Sequence, residues 1–149
     1  PEQVVRNHSK MRPHKKEKML LDFLTGQRKI MIATTAFGMG VDVPDIELVL
    51  HFNVPLSMVD YVQQIGRGGR DGRKCHCVLF YEQNGDDQKI FTSFSKKSQN
   101  PKMLKQRYQE MQDFVHSKGC MQQEILAYFG QTAQKTCQKC TNCAKERRK

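Results

Sequence analysis

The sequence predicts an α/β chain, part of an open parallel sheet followed by a small helical, cysteine-rich subdomain. Three observations predict it. Helix-type and strand-type apolar patterns alternate with short connections over the first half. After Asn84-Gly85 only helical periodicity continues. Four of the six cysteines gather in the tail at ligand-like spacing.

Met11 to Leu24 reads as a helix, with Met19, Leu20, Phe23 and Leu24 at helical spacing. Thr25-Gly26 ends it, because glycine accepts the left-handed conformation at a helix terminus. Lys29 to Thr34 reads as a buried parallel strand, and Phe37 to Asp45 as a loop punctuated by Gly38, Gly40 and Pro44. Leu48 to Phe52 is the next strand. Ser57 is placed to cap a helix carrying Met58, Tyr61, Val62 and Ile65. That helix runs out in Gly66-Arg67-Gly68-Gly69-Arg70-Asp71-Gly72, and Cys77 to Tyr81 forms a third strand. Three strands are few for a self-sufficient parallel sheet, so further strands are expected ahead of Pro1. Asp86 to Lys97, Pro101 to Ser117 and Met121 to Phe129 read as helices, the second opened by Asn100-Pro101. The domain boundary is expected near residue 85, giving 1–84 and 85–149.

The 149 residues suffice for one modest core and a smaller appendage. An apolar content of 38% is low and points to exposed or interface surface. No apolar run approaches the roughly 18 residues of a membrane span, and no signal peptide opens the chain. The expectation is a cytoplasmic protein, nucleoid-associated in a bacterium or nuclear in a eukaryote, with no membrane partner. Pro1 stands where an initiator Met would, as in a trimmed chain or after Met removal. The net charge of +10 is spread evenly: 12 basic against 8 acidic residues in 1–74, and 13 against 7 in 75–149. Such a surface attracts polyanions by releasing their condensed counterions, so nucleic acid is the natural partner.

The most informative segment is Gln63-Gln64-Ile65-Gly66-Arg67-Gly68-Gly69-Arg70-Asp71-Gly72. Two arginines three apart in a glycine-rich turn offer two guanidinium forks, each able to grip phosphate oxygens bidentately. The alternative is a basic turn for any phosphate, or a flexible loop. The segment resembles motif VI of superfamily 2 helicases. Upstream, Ala33 to Asp45 resembles motif V of the same enzymes, and its Phe37-Gly38-Met39-Gly40 core resembles the RecQ version. The resemblance implies a RecA-like sheet, the second motor lobe of a helicase. It also implies that Arg67 and Arg70 reach the ATP phosphates, with Asp42, Gln63 and Gly66 beside the nucleotide. Thr34, Thr35, Gly38 and Met39 would then touch DNA. An arginine finger supplied this way is worth about three to five decades in rate. Two departures stand out: Gln64 replaces a frequent Glu, losing a charge, and Gly68 replaces a frequent Ala. Asn7-His8-Ser9-Lys10 is only loosely like motif IV, and a surface role suits His8, His14 and His116 better. His51 reads as a structural residue satisfying loop backbone groups.

Cys120 opens a helix, and Cys137, Cys140 and Cys143 form a C-x2-C-x2-C run. Four thiolates can enclose Zn²⁺ tetrahedrally in a closed structural site, with Lys135, Lys139 and Lys145 offsetting the residual negative charge. An iron–sulfur cluster is the rival, but the downstream Cys-Pro of ferredoxin-type runs is missing. Cys120 followed by Ile125-Leu126-Ala127-Tyr128-Phe129-Gly130 and the three-cysteine run resembles the RecQ zinc-binding module. Cys75 and Cys77 read as packed strand residues.

Together these resemblances imply an ATP-dependent, 3′ to 5′ DNA helicase of RecQ type serving repair and recombination. Its partners would be single-stranded DNA, duplex junctions and an N-terminal lobe. No G-x-x-x-x-G-K-[ST] loop and no Asp-Glu-x-His box occur in the 149 residues. ATP and Mg²⁺ are therefore expected only with that first lobe, and the chain alone is expected to be inactive. The rival from another class is a non-catalytic, zinc-containing DNA-binding module.

Overall fold

The computed structural model describes residues 3–34, 43, 45–82 and 85–146. The chain divides into two compact units, Pro1–Pro44 and Asp45–Lys149.

The first unit is a β-α-β arrangement of β1 (Val4–Asn7), α1 (Pro13–Leu24) and β2 (Ile30–Ala33). The strands pair in parallel, with Val5 opposite Met31. Strand β1 escapes a reading by pattern, since two valines followed by Arg6-Asn7 make too short an apolar run. The helix starts at Pro13, not Met11. Proline fits the first helical position but drives the residue before it into extended backbone, and Arg12 lies at φ −63°, ψ 140°. At the other end Thr25 N and Oγ1 both donate to the Leu21 carbonyl, and Gly26 takes φ +72°. Helix α1 packs on β1, and Val5 is buried. The expectation of a strand buried on both faces fails for β2: Ile30 and Ile32, on one side of its pleat, are 52% and 59% exposed.

The second unit continues with β3 (Leu48–His51), α2 (Met58–Ile65) and β4 (His76–Leu79), with β3 and β4 parallel and Leu50 opposite Val78. Then come α3 (Asp87–Ser95), α4 (Pro101–His116), α5 (Met121–Tyr128) and α6 (Thr141–Glu146). Ser57 caps α2, its Oγ accepting from Asp60 N at 3.1 Å, and Asp60 also suits the positive end of the helix. Asn100 caps α4 through Met103 N at 3.0 Å, with Pro101 in the first turn. The core joins Val54, Met58 and Tyr61 to Tyr108, Met111 and Phe114 of α4. Tyr61 meets Phe114 at 5.5 Å, and Phe91 of α3 stacks on Tyr108 at 4.4 Å. Buried Asp87 accepts from Val54 N at 2.9 Å and so ties α3 to the loop after β3. The change of character near residue 85 thus falls between β4 and α3, yet one core runs across it. On the other side of the β3–β4 ladder, Leu48, Leu50 and Val78 are exposed, and Phe52 and Phe80 pair at 5.7 Å in solvent. Among the described residues no helix is long and apolar enough to cross a membrane.

Candidate arginine turn and metal centre

Helix α2 ends at Ile65 in a turn held by backbone hydrogen bonds. Gly66 N donates to Val62 O, Arg67 N to Gln64 O, Gly68 N to Ile65 O and Gly72 N to Gly69 O. Gly69 N donates across to Ile46 O at 3.0 Å, pinning the turn beside the start of β3. Gly69 and Gly72 take φ +67° and +81°, where side chains are strained. A Cβ at Gly69 would also sit 2.8 Å from the Arg73 carbonyl, and one at Gly68 would collide with the Cys75 sulfur. The turn is therefore held by backbone hydrogen bonds, with left-handed glycines at 69 and 72.

Arg67 is half-buried in this turn, and Arg70 is exposed, its Nε donating to Gly66 O at 3.3 Å. Gln63 lies exposed on α2, and Gly66 is the cap residue. Arg73 has a different job, which the sequence reading missed although its spacing to Asp71 was visible. It donates to Asp71 at 2.6 Å and approaches Glu47 at 3.4 Å, bracing the exit of the turn against the entry to β3. Hydrogen bonds from Arg73 hold the Asp71 carboxyl below its ordinary range. Thr34 closes β2, its N–H donating to Asn7 O at 3.1 Å. Thr35, Gly38, Met39 and Asp42 lie outside the described residues.

His51 sits in a structural position, but its partners are the Gln64 side chain, whose Oε1 lies 2.8 Å from Nε2, and the Val78 backbone of β4 rather than a loop. Cys75 packs against the turn as a half-buried side chain, whereas Cys77 is exposed rather than packed.

In the tail, Cys120 caps α5, Cys143 lies on α6, and Cys137 and Cys140 sit on the loop between. Gln138, at φ +57°, turns that loop so that all four sulfurs lie within 4.8 Å of one another. Two separations are 3.4 and 3.9 Å. A tetrahedral ion with metal–sulfur bonds of about 2.3 Å needs sulfurs about 3.8 Å apart, so the set fits one four-coordinate metal. Backbone N–H groups aim at the sulfurs: Cys137 N to Cys120 Sγ at 3.2 Å, and Lys139 N and Cys140 N to Cys137 Sγ at 3.4 and 3.2 Å. The Cys137 N–H lowers the Cys120 thiol to about 6, while burial pushes Cys143 up to about 12. Lys135, Lys139 and Lys145 are exposed nearby in sequence. Asn142 of α6 was not anticipated: its Nδ2 donates to Ser117 O and Gly119 O at 2.9 and 2.8 Å, fastening α6 to the chain just before Cys120.

Two family models match in tandem. The helicase conserved C-terminal domain covers residues 2–72, and the RecQ zinc-binding family covers 81–144, across all four cysteines. The chain belongs to the RecQ helicase family. This RecQ-family chain is 37% identical over 126 residues to the ATP-dependent DNA helicase RecQ of Bacillus subtilis, covering 84% of the chain and 21% of that protein. It is 33% identical over 144 residues to the ATP-dependent DNA helicase hus2/rqh1 of Schizosaccharomyces pombe, covering 93% and 11%. A protein of Acanthamoeba polyphaga mimivirus, R290, is 34% identical over 139 residues, covering 91% and 25%, and carries an RNA helicase name. The RecQ-family chain thus spans a quarter or less of these relatives. Among solved structures, the yeast DEAD-box splicing factor Prp28 matches at TM-score 0.51 and 28% identity, over 71% of this chain and 25% of that one. Dbp5 of S. cerevisiae matches at TM-score 0.52 and 24% identity, over 64% and 26%, a likeness of fold alone.

Proposed function

We propose that this chain supplies the second motor lobe (1–84) and the zinc-binding subdomain (85–149) of an ATP-dependent DNA helicase that moves 3′ to 5′ in repair and recombination. The observation that carries the reading is the arginine turn, tied to α2 and to Ile46 just ahead of β3 by backbone hydrogen bonds, with Gly69 at a positive φ where a Cβ would also crowd the Arg73 carbonyl. A rigid turn can present guanidinium groups to a nucleotide held by another lobe without reordering at each cycle. In this reading Arg67 and Arg70 engage the phosphates. Asp42, Gln63 and Gly66 line the nucleotide, and Thr34, Thr35, Gly38 and Met39 contact the DNA backbone. Cys120, Cys137, Cys140 and Cys143 hold a structural Zn²⁺, which ties α5 to α6. ATP and Mg²⁺ come with the first lobe.

The test is DNA-stimulated ATP hydrolysis by a helicase carrying both lobes, with Arg67→Ala and Arg70→Ala made separately. Each is expected to lower turnover by about 10³-fold or more, while the 149-residue chain alone turns over nothing. Unchanged turnover in both variants, or robust hydrolysis by the chain alone, would overturn the reading. Comparing DNA with RNA as the stimulating strand separates the DNA assignment from the RNA name of the viral relative. A non-catalytic DNA-binding module is the second reading: it also accounts for the +10 charge, and DNA binding with no DNA-stimulated turnover even when both lobes are present would select it.

A further inference from the structure

We infer that His51 and Gln64 form an uncharged strut that positions Arg67 relative to the sheet, a role resting on the reading of the arginine turn given above. His51 stands at the end of β3 and Gln64 in the last turn of α2. The imidazole Nε2 is 2.8 Å from Gln64 Oε1. An amide oxygen only accepts, so Nε2–H donates. The Gln64 carbonyl in turn accepts from Arg67 N at 3.3 Å. One residue therefore links strand and arginine: its side chain is bound to β3 and its backbone to Arg67.

The groups facing the ring are few. From α2 come Tyr61, its ring centre 5.4 Å away, and Gln64; from β4 come the Val78 backbone and, near Tyr61, Cys77. Burial lowers the ring's affinity for a proton, so the strut joins two neutral groups at neutral pH. A carboxylate at 64 would instead draw a proton onto His51 and make the strut an ion pair. Gln64, one of the two departures from the family pattern, thereby keeps the strut uncharged at neutral pH.

The test uses ¹⁵N spectra of the chain over a pH series, with wild type, Gln64→Glu and Gln64→Met. In Gln64→Glu the His51 ring should titrate at least about one unit higher than in wild type. In Gln64→Met the Arg67 amide should exchange about 2- to 10-fold faster, with Tyr108 and Met111 amides unchanged. Identical His51 titration in wild type and Gln64→Glu overturns the strut. In the two-lobed helicase, Gln64→Met should lower kcat and leave KM for ATP unchanged, and Gln64→Glu should restore kcat at low and neutral pH, with kcat falling as pH rises and His51 gives up its proton. If the strut variants leave kcat unmoved while Arg67→Ala abolishes it, the positioning role is overturned and the motor reading stands. If Arg67→Ala is also silent, the motor reading itself has failed.

Discussion

Position by position, the glycines of the arginine turn are not equivalent. Gly72 has φ +81° and open space around it, so Gly72→Ala should cost only the left-handed penalty, about 1–2 kcal/mol. Gly69→Ala adds a clash with the Arg73 carbonyl to the same strain and should cost more. Gly68→Ala has no positive φ to contend with but must displace the Cys75 sulfur, an overpacking worth about 1–3 kcal/mol. Urea midpoints of the three variants check the ranking; equal losses at 69 and 72 would refute it. His51 gives the pH dependence. Unfolded, the ring takes a proton near about 6.5; folded, burial defers that to lower pH. Below about 6.5 the unfolded chain therefore binds more protons, so stability is full above that pH and is lost as pH falls. Urea midpoints from about pH 7 down to 5 should decline in wild type and flatten in His51→Gln.

Helices and strands show where local chemistry decides and where it does not. Asn100→Ala removes the cap of α4 and should cost about 1 kcal/mol by thermal melting. Asn142→Ala should leave all four sulfurs in place but loosen α6. A chelator should then strip the metal about 10- to 100-fold faster, followed by a colorimetric zinc indicator. The cap at Ser57, the helix start at Asn100-Pro101 and the cysteine quartet were legible in the sequence, because each is set within a few residues or by the spacing itself. Strand β1 was not, for Val4-Val5 is too short to show a period. Helix α6 was not either, since Thr141 to Glu146 carries no apolar stripe and is fastened by Asn142 to Ser117 and Gly119. The His51–Gln64 bond spans 13 residues and belongs to the packing of α2 on β3, which no local pattern reports.

For the chain as a whole, the core and the cysteine cluster meet at α5, whose Met121 and Ile125 pack against the core. Met111, fully buried where α4 packs on α2, should cost about 2–5 kcal/mol as Met111→Ala. Chelation should remove helical signal from α6 first, while α5 keeps its packing on the core, a difference that circular dichroism with and without chelator would detect. Net charge acts at longer range. If the chain neutralises three phosphates, its affinity for duplex DNA should fall ~40-fold between ~50 and ~200 mM salt. A flat salt profile would remove the case for DNA as a partner.

The contact between Gly68 and Cys75 also constrains history. With the sulfur where it is, a lineage carrying Cys75 cannot move to alanine at 68 in one harmless step. The change at 75 has to come first, or a weakened turn must be tolerated until it does. The order of two substitutions is thus written into one atomic contact, and descendants that took the other order should carry a compensating change nearby, at Val49, the other neighbour of that position.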